Sequence, residues 1–148
     1  MGESIEGGCR CGSVRYALAV DALPPVYACH CHICQRMSGG AFSLQALVAE
    51  ASLDVSGPIV TREITTEDRT SVQRFCGSCL ARIYNTNTRR PGIAVIRAGT
   101  LDRSEELECR AHIYTATKQA WFAIADGVPS WPDVPDATFA ALMMRRAA

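Results

Sequence analysis

The sequence predicts a mainly β protein made of packed antiparallel sheets with short helices, and three observations predict it. Turn-forming pairs recur at short intervals, at Gly7-Gly8, Pro24-Pro25, Gly39-Gly40, Gly57-Pro58, Pro91-Gly92 and Asp126-Gly127. The runs between them are strand-length and rich in Val, Ile, Tyr and Phe. Only two stretches suit a helix, too few to cover a sheet on both faces.

Taken in chain order, Val14, Tyr16, Leu18 and Val20 alternate with Ser13, Arg15, Ala17 and Ala19, the period of a half-buried strand. A short helical turn is expected over His32 to Met37. Strands are expected over Ala41–Val48, Ile59–Ile64, Val72–Phe75, Ile93–Arg97 and Trp121–Ala125. From Glu106 to Tyr114, Leu107, Cys109, Ala111 and Ile113 alternate with Glu108, Arg110, His112 and Tyr114. The first set should face the core and the second solvent or a cleft. The last element is a helix over Ala137 to Arg145, where Asp136 can accept from a free N–H of the first turn.

The chain has 148 residues, which suits one domain over 1–148 with a core of its own. Apolar residues make up 48% and charged ones 20%, so the composition is globular and not disordered. No run nears the ~18 apolar residues of a spanning helix, which argues against an integral membrane protein. Fifteen basic and fifteen acidic residues cancel, so the chain lacks the basic excess of a nucleic-acid binder. Arg89-Arg90 and Arg145-Arg146 are too short to supply one. The N-terminus has neither a basic region nor an apolar run, so a cytoplasmic location is expected.

That location keeps thiols reduced, and eight cysteines then point to metal more than to disulfides. Seven fall in three clusters: Cys9-x-Cys11, Cys29-x-Cys31-x-x-Cys34 and Cys76-x-x-Cys79. Such spacing lets a short turn aim two thiolates at one zinc about 2.3 Å away. The two pairs, Cys9 with Cys11 and Cys76 with Cys79, make a natural four-cysteine structural site. A structural zinc, which here would also clip a long loop, can contribute on the order of 10 kcal/mol to the folded state.

Cys29, Cys31 and Cys34 offer three ligands, the number usual where a fourth position stays open. A fourth ligand from Cys109, His30, His32 or His112 would close the site instead, and Cys109 is the foremost of these. Three thiolates leave the ion with a formal charge of minus one, so it suits a soft ligand or a labile adduct better than hydroxide. His30 and His32 flank Cys31 and are candidate proton carriers, His30 first, while His112 reads as a surface or cleft residue. Arginine outnumbers lysine fourteen to one, and arginine alone binds carboxylates through two parallel hydrogen bonds. Arg36, just past the three-cysteine cluster, is the candidate for holding a carboxylate of a ligand.

These residues resemble the glutathione-dependent formaldehyde-activating enzyme family, which includes centromere protein V-like domains. The matching stretches are Gly7-Gly-Cys-Arg-Cys-Gly-Ser-Val-Arg-Tyr16, Cys29-His-Cys-His-Ile-Cys-Gln-Arg36, Gly39-Gly-Ala-Phe42 and Phe75-Cys-Gly-Ser-Cys79. Ala98-Gly-Thr-Leu-Asp102, His112-Ile-Tyr114, Lys118-Gln-Ala-Trp121 and Asp126-Gly-Val-Pro129 continue them, with Trp121 read as core. The resemblance implies an Mss4-like fold, a structural zinc on Cys9, Cys11, Cys76 and Cys79, and a second zinc on Cys29, Cys31 and Cys34. It further implies a carbon–sulfur lyase-type reaction that joins glutathione and formaldehyde into S-hydroxymethylglutathione. The alternative is a non-catalytic carrier of glutathione or its adduct, or a protein-binding module. Three residues depart from the family pattern: Leu80 follows Cys79 where glycine is usual, Gln35 stands where arginine is common, and Cys109 is not part of the pattern.

Overall fold

A computed structural model describes residues 4–144. The terminal Arg145-Arg146, with the expected end of the last helix, lies outside the described residues. Ten strands form two sheets. The smaller holds β1 (Ile5–Gly8), β2 (Arg15–Leu18) and β5 (Leu53–Ser56), in the order β1-β2-β5. The larger has seven strands: β3 (Val26–Cys29), β4 (Ser43–Ala49), β6 (Ile59–Thr65), β7 (Thr70–Cys76), β8 (Arg82–Asn87), β9 (Ile93–Arg97) and β10 (Cys109–Ile113). Their order is β10-β3-β4-β9-β8-β7-β6. Every pairing is antiparallel except that of β10 with β3, which is parallel. The mainly β class expected from the sequence is what the chain adopts.

Each face of the large sheet has its own apolar cluster. Val14, Tyr16 and Leu18 from the small-sheet side pack with Ala46, Val48, Ile83, Ala94 and Ile96 on one face. On the other face Tyr27, Leu47, Val95, Ala111 and Ile113 meet Phe139 and Met143. The latter two belong to α2 (Ala137–Met143), whose Asp136 cap accepts from the Thr138 N–H as expected. Phe139 stands edge-on to Tyr27 with ring centroids 4.8 Å apart. Each such side chain, fully buried, contributes roughly 1.5–3 kcal/mol. Central strands are therefore covered on both sides, and β3 and β9 show almost no alternation of burial.

Two expectations fail. Trp121–Ala125 forms no strand, and Trp121 is 73% exposed, not core; its indole N–H donates to Gln119 Oε1 instead. In β10 the alternation breaks, because the register shifts between Cys109 and Ala111 and leaves Arg110 as an extra residue. Ala111 and Ile113 join the α2-side cluster, while Leu107 and Cys109 pack against the opposite one. The same bulge turns His112 inward, to 5% exposure.

Candidate functional site

Two thiol clusters form, on opposite sides of the large sheet's core. Cys9 and Cys11 come from the turn after β1, and Cys76 and Cys79 from the end of β7 and the turn that follows. All four sulfurs lie within 4.8 Å of one another. Cys9 and Cys11 are 3.6 Å apart, and Cys11 and Cys76 are 3.8 Å apart. These are not disulfide lengths. A tetrahedron of 2.3 Å zinc–sulfur bonds sets its sulfurs about 3.8 Å apart, so the donor set fits zinc. Backbone N–H groups of Val14, Ser78 and Cys79 donate to Cys9 and Cys76 sulfurs at 3.3–3.4 Å, which favours the thiolate a metal requires. Ser13 Oγ adds contacts of 3.0 Å to Cys11 and 3.2 Å to Cys76. Leu80 closes this turn with φ +64, a left-handed backbone that ordinarily favours glycine.

The second cluster is built by a strand end and a helix start. Cys29 ends β3, Cys31 caps α1 (His32–Ser38), and Cys34 sits in its first turn. Cys31 Sγ accepts from the Cys34 N–H at 3.3 Å and lies 3.6 Å from Cys29 Sγ. The three sulfurs lie within 4.8 Å of one another, and among the described residues no fourth Cys, His, Asp or Glu joins the group. Cys109 does not close it, because the β10 bulge puts that thiol on the other face, 3.7 Å from His112 Nε2. Hydrogen bonding within the cluster, first from the Cys29 thiol, holds the Cys31 thiol well below its ordinary value. The same contacts push Cys29 up. One thiol of the three is thus set to be the first thiolate.

The histidines lie elsewhere. His30 is fully buried and does not line the cleft described below; its Nε2 is 2.8 Å from His112 Nδ1. Phe42 and Phe122 stand 5.2 and 5.6 Å from its ring. Burial, and then His112 and Lys118, pushes His30 down to about 4; burial lowers His112 too, so both rings are neutral at pH 7. The set of contacts is satisfied if Cys109 donates to the Ala111 carbonyl, His112 to Cys109 and His30 to His112, which leaves a bare lone pair on His30 Nδ1. His30, expected as a proton carrier, thus sits away from the residues that line the cleft and packs behind the cysteine loop. Gln35 has a similar part: its amide donates to the carbonyls of His30 at 2.8 Å and Thr117 at 2.9 Å. His32 and Arg36 are exposed on α1, and Arg36 does not line the cleft.

That cleft, of about 370 Å³, opens over the three cysteines and lies within the range of small-molecule sites. Its floor is the α2-side face of β4, β9, β8 and β7, where Gln45, Arg97, Asn85 and Gln73 are buried. Gln45 donates to Cys34 Sγ at 3.5 Å and accepts from the Tyr27 hydroxyl at 2.7 Å. Arg97 lies opposite Gln45 across the β4–β9 pair and donates to Asn85 Oδ1. Arg82 Nε donates to Gln73 Oε1 at 2.8 Å. With Arg69, Arg89 and Arg90 nearer the rim, five arginines line the cleft; among its lining residues there is no Asp, Glu, His or Lys. Sequence reasoning passed over Arg97 and Arg82. The period-two polar residues on apolar strands, Ser71 and Gln73, Asn85 and Asn87, were the available signal.

A family model described as glutathione-dependent formaldehyde-activating enzyme matches residues 4–117, a span that holds all eight cysteines. The chain belongs to this family. The Lys118–Trp121 and Asp126–Pro129 stretches fall beyond the matched span. A Halomonas elongata protein that carries the family's name is 28% identical over 129 residues, covering 81% of this chain and 80% of its own. A crystal structure of a Rhodobacter sphaeroides protein is similar with a TM-score of 0.55 at 15% identity, over 86% of this chain and 99% of that one. The latter likeness shows the fold alone. No helix among the described residues is long and apolar enough to cross a membrane.

Proposed function

We propose that the chain promotes the reversible addition of the glutathione thiol to formaldehyde, at a zinc held by Cys29, Cys31 and Cys34. One observation carries this reading: three converging thiols face an open cleft, with no fourth side chain among the described residues to close their site. A zinc held there supplies Lewis acidity toward oxygen and affinity for sulfur, moderated by the charge of three thiolates. The four-cysteine site holds a second, structural zinc.

In the reaction a carbon–sulfur bond forms as the carbonyl π bond breaks, and the thiol's proton ends on the new hydroxyl. The cleft brings the two reactants together, which converts a bimolecular encounter into a local one. Gln45 holds Cys34, and Cys31 is fixed by its cap bond to the Cys34 N–H. Tyr114 lines the cleft, and burial raises its phenol, so it stays protonated and able to donate a hydrogen bond. No carboxylate or imidazole among the lining residues competes for the proton, which suits a reaction whose own reactants supply and accept it.

A non-catalytic carrier of the adduct is the second reading, and the same lack of an acid–base side chain favours it. Exchange NMR on glutathione, formaldehyde and their adduct separates the two. Zinc-loaded protein is expected to accelerate exchange, and Cys31→Ala, with its four-cysteine zinc retained, to lose that acceleration. Binding without acceleration in the zinc-loaded protein would assign the carrier role.

A further inference from the structure

We infer that the floor of the cleft is a carboxylate-binding pocket centred on Arg97 and flanked by Arg82. The inference rests on the preceding reading, in which the cleft holds the reacting pair, and it adds a requirement: one of the two reactants is an anion.

Arg97 is 8% exposed and lines the cleft. Its Nη2 donates to Asn85, but Nε and Nη1 have no hydrogen-bond partner. Three of the five guanidinium N–H donors are therefore unclaimed, on a buried group that cannot shed its charge at neutral pH. Buried arginines are ordinarily paired, because an unpaired buried charge is strongly unfavourable.

The hydrogen-bond partners of the two floor arginines are neutral, and the negative charge that acts on both includes the thiolates of the three-cysteine cluster. Arg97 meets the Asn85 amide and Arg82 the Gln73 amide, so these contacts orient the guanidinium planes without cancelling their charge. Ser71 Oγ ties the amides together, accepting from Gln73 at 2.7 Å and from Asn85 at 3.3 Å. On the surface the pattern is reversed. Arg15 pairs with Asp102, Arg103 with Glu106, Arg110 with Glu108 and Arg89 with Asp68. The chain places carboxylates beside exposed arginines and none on the floor of its cleft.

The site is held rigid before any ligand arrives, and a planar anion matches a guanidinium through two parallel N–H···O bonds. Arg97 sits opposite Gln45, which touches Cys34. A carboxylate on Arg97 is thus carried by the same small molecule that reacts at the cysteines. It comes either from the thiol partner, as in glutathione, or from the carbonyl partner, as in glyoxylate.

Calorimetric titration of the zinc-loaded protein tests this, with glutathione, its diethyl ester and glyoxylate as probes, and zinc content measured on every sample. If the thiol brings the carboxylate, glutathione binds at least tenfold more tightly than its diester. Arg97→Met erases that preference, and Arg97→Lys, which keeps charge but not the fork, restores part of it. If the carbonyl partner brings it, glyoxylate binds and Arg97→Met abolishes the binding, while esterifying glutathione changes nothing. Equal affinity for glutathione and its ester, with no glyoxylate binding, overturns the inference and leaves the glutathione reading standing. Glyoxylate binding that depends on Arg97, with glutathione inert in both forms, keeps the pocket and removes glutathione. A wild-type protein with neither acid-over-ester preference nor glyoxylate binding, whose Arg97→Met variant loses the three-cysteine zinc, overturns it and shows that Arg97 only balances thiolate charge.

Discussion

At the scale of single residues, the turn that carries Cys76 and Cys79 holds one residue in a backbone conformation that does not suit its side chain. Leu80 takes φ +64, where an L-residue with a Cβ is disfavoured by roughly 1–2 kcal/mol. Its N–H still donates to the Cys76 carbonyl at 3.0 Å, so the turn requires that conformation. The side chain is 68% exposed and adds little packing in return. Leu80→Gly should relieve the strain at the expense of some unfolded-chain entropy, for a net gain of about 0.5–1 kcal/mol. Urea denaturation of the zinc-loaded protein reads this as a higher midpoint at unchanged slope. A lower midpoint would mean that the leucine packs in a way its exposure does not suggest. His30 and Gln35 support the other cysteine loop through packing and hydrogen bonds. His30 fills a box between Phe42 and Phe122, and Gln35 ties α1 to Thr117, so the cysteine loop between them is held from both sides.

At the scale of elements, the four-cysteine turn is wedged against the link between β5 and β6. Gly57 has φ +108, and a Cβ on it would lie 2.1 Å from the Ser13 carbonyl oxygen and 2.9 Å from the Val14 Cα. Both contacts are to backbone, so something must move, and what moves carries Ser13 away from the cysteine sulfurs it touches. Gly39, which ends α1 at φ +68, has open space where its Cβ would be. Gly39→Ala should therefore cost about 1 kcal/mol from its backbone angle alone, whereas Gly57→Ala should cost more than about 3 kcal/mol. Only the second should speed zinc loss to a chelator; similar rates for both would show that the β5–β6 link does not support the turn. These elements were unequally legible. β2, β4, β6, β7, β9 and the two helices announce themselves by periodicity, by apolar runs or, for α2, by an N-cap residue. β1 reads as a glycine turn, β3 is buried on both faces and so has no alternation, and β5 and β8 are short or polar. The Arg110 bulge leaves no local mark, because a register shift exists only relative to β3. Trp121–Ala125 looks like a strand by composition but has no neighbour with which to form a ladder. The three cysteine clusters could be read because zinc demands close spacing; the cleft could not, since Gln45, Gln73, Asn85 and Arg97 meet only through pairings of distant strands.

At the scale of the whole molecule, the two thiol clusters differ in what they join. Cys29, Cys31 and Cys34 span six residues of one strand end and the helix beside it. A metal there ties together groups that are already neighbours, and its removal should leave the sheets as they are. The other cluster joins the turn between the first two strands to the end of β7, with Cys11 and Cys76 65 positions apart in the chain. That link bridges the small sheet to the large one. Closing a loop of this length in the unfolded chain removes conformational entropy worth about 4 kcal/mol at 25 °C, beyond the intrinsic affinity of four thiolates. Total stability of a domain this size is usually on the order of 5–15 kcal/mol, so a zinc held by these four cysteines would be a large share of it. Zinc should therefore leave in two steps. A mild chelator should take one equivalent with the circular dichroism unchanged, and the second should leave only together with the β signal. The Cys31→Ala protein should start with one equivalent and show the second step alone, while Cys76→Ala should fail to fold stably even in excess zinc. Release of both equivalents with the dichroism intact would contradict this order and place the hold between the sheets in the apolar cluster of Tyr16, Leu18, Ile83 and Ile96 alone.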